Sequence, residues 1–99
     1  MMESEEYERN RSRIIHSIRD QWIAEQSVVS VLRKLVDELG PSSDRAGTAF
    51  QVVNYMTQAF NIRLAVAGKF TRWHAIGGDL SDEDAEKRFE GFIVWPPKA

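Results

Sequence analysis

Apolar residues at helical spacing run through the first sixty residues and constrain the fold more than any other feature. Residues 3–25 carry an apolar stripe with spacings of three, four and seven, formed by Tyr7, Ile14, Ile15, Ile18, Trp22 and Ile23. Residues 28–39 carry a second stripe, formed by Val28, Leu32, Leu35 and Leu39. Such spacings place apolar side chains on one face of an α-helix. The pattern predicts two amphipathic helices.

The boundary between these two helices leaves two alternatives. Ser27 follows Gln26 and can serve as the N-cap of a second helix. A single helix over residues 3–39, about 55 Å long, is the alternative, because no Gly or Pro interrupts the stretch. We predict a break, since a chain of 99 residues packs more readily from shorter elements. Gly40-Pro41 then ends the helix.

A third helix is predicted over residues 44–60, with Ser42 or Ser43 as its N-cap. Its apolar stripe has spacings of three and four and comprises Ala46, Ala49, Phe50, Val53, Met56 and Phe60. Asn61 can end this helix and cap the next one. The pattern therefore predicts that Phe50 faces the core with the rest of the stripe.

Residues 62–73 fit two patterns. Ile62, Leu64 and Val66 alternate as in a strand. Ile62, Val66, Phe70 and Trp73 have helical spacing, and because this pattern covers the longer stretch, we predict a helix.

The last predicted helix follows a turn at Gly77-Gly78. Ser81 is its predicted N-cap, the helix extends to about Glu90, and Gly91 ends it. Residues 92–95 form either a final strand or an extended segment packed across the bundle. The chain is thus predicted to be one all-α domain over residues 1–99, a bundle of four to five helices with a short extended C-terminal segment as one option for its tail.

The composition excludes several classes of protein. The chain has no cysteine, which excludes disulfides, thiolate metal sites and a cysteine nucleophile. The charged N-terminus has no apolar core of a signal peptide, and no apolar run approaches the ~20 residues of a membrane span. We expect a soluble, cytoplasmic protein that does not bind membranes.

Motifs for catalysis or metal binding are missing from the sequence. The histidines, His16 and His74, belong to no HxxH or HExxH pair, and a structural or exposed role is expected for both. There is no GxSxG elbow, and Gly77-Gly78 lacks the Lys and Ser or Thr of a phosphate loop. We expect no metal, no cofactor and no enzymatic activity.

The charges are segregated, although the net charge is only −2. Acidic residues cluster near the C-terminus, at Asp79, Asp82, Glu83, Asp84 and Glu86. They form either a solvated helix end or a surface complementary to a basic partner. Trp95, beside two prolines, is either an exposed anchor for that partner or part of the core.

Basic residues cluster near the N-terminus, at Arg9, Arg11, Arg13 and Arg19. They could contact nucleic-acid phosphates. Neighbouring acids and the lack of interleaved aromatic residues favour a solvated helix face paired with those acids. Binding to nucleic acid is therefore the alternative function rather than the leading one.

Residues 59–84 combine Ala59-Phe60, the alternating Ile62 and Leu64, a Trp73-x-x-Ile76-Gly77-Gly78 turn, and Leu80-Ser81-Asp82. This stretch, about a quarter of the chain, resembles small bacterial proteins of the immunity or antitoxin type. The resemblance implies a cytosolic, stoichiometric inhibitor of a toxin domain. A basic toxin or nuclease domain would be its partner, bound by the acidic cluster and Trp95. A homodimeric adaptor that pairs through the first helix is a further alternative.

Overall fold

The computed structural model describes residues 2–40 and 45–96, with side chains from Glu5 and from Gly47 onward in the two parts. Within these residues the fold is all-α, which confirms the predicted class. The described residues form five α-helices: α1 (Met2–Glu25), α2 (Val28–Leu39), α3 (Arg45–Phe60), α4 (Leu64–Ala67) and α5 (Asp82–Arg88). Two 3₁₀ turns, Gly68–Arg72 and His74–Ile76, lie between α4 and α5. None of the described helices is both long enough and apolar enough to cross a membrane.

The chain reverses direction between α1 and α2, so the single long helix is wrong and the predicted break is confirmed. Gln26 has a positive φ of 53°, which ends α1. The Ser27 hydroxyl accepts the backbone N–H of Ser30 at 3.1 Å, as an N-cap does. Gly40, with φ 82°, ends α2, while the Pro41 and Ser42 or Ser43 predictions lie outside the described residues.

Helix α3 buries Met56 and Phe60 of the predicted stripe but not Phe50. Val52, Met56 and Ala59 are fully buried, whereas Phe50 is 73% exposed. At about 100° per residue, Phe50 lies about 200° from Val52 around the helix axis and therefore points away from the core. The prediction that Phe50 faces the core is wrong, because Val52 rather than Phe50 begins the stripe that meets α1 and α2.

The segment after α3 is helical, as predicted, but only from Leu64 onward. Asn61 ends α3 with a φ of 54°, yet the N-cap position of α4 is Arg63, so capping by Asn61 is wrong. α4 continues into the 3₁₀ turn Gly68–Arg72, and the strand alternative for residues 62–66 is wrong. This segment contributes the buried rings of Phe70 and Trp73 to the core.

The glycine turn brings the chain back against Trp73. Gly77 adopts a φ of 105°, and a Cβ on Gly78 would lie 2.0 Å from the backbone of Arg72. The backbones of Trp73 and Leu80 then pair in an isolated parallel bridge. This close approach places the start of α5 beside Trp73.

The C-terminal residues 92–96 form neither helix nor strand, so the extended alternative holds and the strand alternative is wrong. Ile93 is buried in the core. The ring of Trp95 packs edge-on against Phe60, with 6.2 Å between centroids. The indole N–H of Trp22 donates to the Trp95 carbonyl at 3.2 Å, which ties this segment to α1.

Candidate functional site: the acidic segment 79–86

The acidic segment, residues 79–86, enters α5 through a local N-cap that the sequence predicts. The Ser81 hydroxyl accepts the backbone N–H of Asp84 at 3.2 Å. The first turn contains Asp82, Glu83 and Asp84, where the helix dipole favours negative charge. The carboxylate of Glu83 lies 3.7 Å from the ammonium of Lys87, one turn later. The N-cap, the acidic first turn and the Glu83–Lys87 pair thus stabilise a helix of only seven residues.

Asp82 connects α5 to two other parts of the fold. Its carboxylate accepts the indole N–H of Trp73 at 2.8 Å and lies 2.8 Å from His74 Nε2. It also forms an ion pair with Arg33 of α2. The hydrogen bond from Trp73, followed by those from His74 and Arg33, lowers the pKa of Asp82 to about 2. The carboxylate is therefore charged over the whole neutral range and holds α5 against α2 and the 3₁₀ segment.

Glu86 caps the N-terminus of α2 from a distant position in the chain. Its carboxylate accepts the backbone N–H groups of Val28 and Val29 at 2.9 and 3.2 Å. It also accepts the Ser27 hydroxyl. The first N–H groups of a helix have no partner within the helix, and their positive dipole end favours a carboxylate. Glu86 and Ser27 together satisfy this helix end.

The other three acids of the segment lie at the surface. Asp79 pairs with Arg72 at 3.2 Å, and the hydrogen bond from Arg72 lowers the pKa of its carboxyl group. Glu83 is exposed, and Asp84 offers a carboxylate without hydrogen bond or ion pair to any residue in the described part of the chain. We refer to Asp79, Glu83 and Asp84 as the exposed acids. The acidic segment thus divides into two acids bonded to α2, Asp82 and Glu86, and three exposed ones.

Trp95 is half-buried and belongs to a separate cluster. The Arg19 guanidinium lies 4.3 Å from the centre of its ring, and Arg19 Nε donates to the Ala59 carbonyl at 2.7 Å. No hydrogen bond, ion pair or ring contact between described residues links Trp95 to the acidic segment. The structure does not bring the two predicted parts of the partner-binding site into contact.

The N-terminal arginines are dispersed around α1. Each residue turns the helix by about 100°, so two residues correspond to about 200°. Arg11 is two positions from Arg9 and from Arg13 and therefore lies on roughly the opposite side of α1 from both. Arg9 lies 3.9 Å from Glu5, and Arg13 bonds to Glu38 and donates to Asn10 at 2.7 Å. The hydrogen bond from Arg13 lowers the pKa of Glu38. These side chains, with Arg19 held at the Ala59 carbonyl, do not form one basic stripe.

An open groove of about 460 Å³ lies beside the C-terminal segment, and the sequence patterns do not indicate it. Its walls are residues 60–63 and Val66 on one side and Gly91, Phe92 and Val94 on the other. Two chain segments separated by some thirty residues form this groove, so a local pattern could not reveal it. The same is true of Arg33, which pairs with Asp82 from 49 positions away.

No group of three or more potential metal ligands occurs among the described residues. No protein-family model, curated protein or solved structure matches this chain. The resemblance of residues 59–84 to immunity and antitoxin proteins therefore stays a prediction.

Proposed function

We propose that this chain is a non-enzymatic protein-binding module, and within that class a cytoplasmic immunity protein. Its partner would be a basic toxin or nuclease domain of bacterial origin, inhibited by stoichiometric binding that covers its active surface. The observation that supports this proposal is the division of the acidic segment. Hydrogen bonds to the rest of the fold hold Asp82 and Glu86, and so α5, in place. Glu83 and Asp84 extend from the same short helix into solvent.

Such an arrangement suits recognition of a basic surface. A carboxylate on a fixed helix loses less conformational entropy on binding than one on a mobile loop. Complementary charge accelerates encounter between partners and disfavours wrong ones. Asp82 and Glu86 bond to α2, whereas Asp79 and Glu83 form only exposed ion pairs, with Arg72 and Lys87. The contact with a basic domain therefore falls to Glu83, Asp84 and Asp79.

The experiment compares the wild type with Glu83→Lys/Asp84→Lys in affinity capture from cells that make the protein. Asp20→Lys/Glu25→Lys is the matched control, because it makes the same charge change at exposed acids of α1. We expect the wild type and the control to retain one stoichiometric partner and to inhibit its activity. We expect the association rate of the α5 variant to fall by about tenfold or more at low salt. Unchanged affinity and salt dependence in the α5 variant would remove the acidic-surface mechanism.

A further inference from the structure

The groove beside the C-terminal segment has the composition of a peptide-binding site. Phe60, Ile62, Val66, Phe92 and Val94 contribute apolar surface to its walls. At about 460 Å³ it falls in the usual range for ligand sites, roughly 300–1,000 Å³. Val94 in the wall is 59% exposed, and Leu64, which follows Arg63 in the chain, is 71% exposed. Covering these side chains would bury apolar surface, which favours association.

The charge at this groove has one sign. Among the described residues that line it, Arg63 is the charged one and none carries a carboxylate. No ion pair within the described residues involves Arg63. A second cation, Lys69, lies 5.9 Å from the centre of the Phe92 ring. An exposed guanidinium without a carboxylate partner favours an acidic ligand, because Arg binds carboxylates through two parallel hydrogen bonds.

The backbone on both sides of the groove has N–H groups without a backbone partner among the described residues. Residues 61–63 and 93–95 belong to no helix or strand. The backbone N–H groups of residues 62–63 and 93–95 donate no backbone hydrogen bond within the described part of the chain. The Arg63 carbonyl, by contrast, accepts the N–H groups of Val66 and Ala67, and the Trp95 carbonyl accepts the Trp22 indole. Peptides that bind in extended form use main-chain hydrogen bonds for affinity and alternate side chains for specificity. The two wall segments offer such main-chain groups beside apolar surface.

We infer that this groove binds an extended acidic peptide segment of a partner protein, with apolar side chains against Phe60, Ile62 and Phe92 and a carboxylate on Arg63. The inference is independent of the proposed function, since it uses none of the acids of segment 79–86. It gives the chain a second interaction surface. The groove binds an acidic ligand, whereas the exposed acids bind a basic one.

The test is selection of a random linear peptide library, displayed on phage, against the full chain. We expect enriched peptides to combine apolar residues with a nearby Asp or Glu. A synthetic copy of an enriched peptide should shift the backbone amide NMR signals of Ile62, Arg63 and Val94. Arg63→Glu should weaken its binding roughly two- to fivefold, the effect of an exposed ion pair, and a peptide with Lys in place of the acid should regain binding to that variant.

Arg9→Glu is the control, because Arg9 is an exposed arginine that does not line the groove. Equal losses in the Arg9→Glu and Arg63→Glu variants would overturn the inference. Enriched peptides without acidic residues, no enrichment at all, or amide shifts confined to other surfaces would also overturn it. A doubled solution mass with concentration-dependent shifts at the same amides would assign the groove to a second copy of the chain and contradict the peptide ligand. Failure here leaves the Glu83→Lys/Asp84→Lys experiment unaffected.

Discussion

The α1–α2 pair and the segment of residues 61–96 are stabilised in different ways. The two long helices meet through fully buried aliphatic side chains, among them Ile18, Leu32 and Leu35. The later segment contains two short α-helices and two 3₁₀ turns, and buried rings such as Trp73 are supplemented by polar contacts from Asp82 and Glu86. The Asp82 carboxylate pairs with Arg33 of α2, and the Glu86 carboxylate accepts a backbone N–H at the start of α2.

Helix length explains this difference. A helix shorter than about 12–15 residues is marginal in water by itself. α5 has seven residues, so its position depends on bonds to other elements. An apolar stripe of one helix can be found from periodicity, whereas a bond between Glu86 and the N-terminus of α2 joins residues 58 positions apart. The acids of α5 therefore stabilise the fold and also contribute charge to its surface.

Trp73→Ala should give the largest loss of stability, because it removes a buried ring and the indole donor to Asp82 together. Truncation of a buried aromatic residue costs about 3–5 kcal/mol in the free energy of unfolding. Urea denaturation measures this loss. Trp73→Phe keeps most of the ring and loses the donor, so it should lose much less. A loss below about 1 kcal/mol for Trp73→Ala would contradict the central position of this ring.

Glu86→Ala should have a smaller effect than Trp73→Ala. It leaves the N–H groups of Val28 and Val29 without their acceptor, which costs about 1–3 kcal/mol in the free energy of unfolding. Hydrogen exchange at these two amides should accelerate. Glu90→Ala, an exposed acid in the turn after α5, is the matched control and should change neither quantity. Unchanged exchange in Glu86→Ala would mean that Ser27 alone is sufficient to cap α2.

The Asp82 carboxylate should make stability depend on acidic pH. Because its pKa is about 2 in the folded chain and 3.8 in the unfolded reference, its contribution is present above pH 3.8 and is lost as the pH falls toward 2. The urea midpoint of the wild type should therefore exceed that of Asp82→Asn by a margin that shrinks through this window. A constant margin would contradict the Trp73, His74 and Arg33 contacts as the source of the shift.

Phe50→Ser should have the smallest effect, within about 0.5 kcal/mol, because the side chain is 73% exposed. Met56→Ala, on the buried face of the same helix, should cost about 2–5 kcal/mol. Thermal unfolding of the two variants compares these faces directly. A large loss for Phe50→Ser would restore the stripe that the sequence predicts for α3.

Much of the helical framework follows from the sequence, because its signals are local. Ser27 and Ser81 mark the two caps, and the apolar spacings locate α1 and α2. Phe50 shows the limit of periodicity: α3 has apolar residues on more than one face, and packing against α1 and α2 selects among them. For the candidate site, the sequence indicates the acids but not their division. Asp82 meets Arg33 of α2, 49 positions away, and no local signal distinguishes it from Asp84.

One measurement tests this division most directly: urea unfolding of two double variants, Asp82→Ala/Glu86→Ala and Glu83→Ala/Asp84→Ala. Each double variant removes two negative charges from α5, so the two variants differ chiefly in which side-chain contacts are lost. We expect the first double variant to lower the unfolding midpoint. We expect the second to leave it close to that of the wild type, because the helix propensity of Ala offsets the loss of a favourable dipole contact. Equal midpoints for the two variants would contradict the division of the acidic segment into structural and exposed acids.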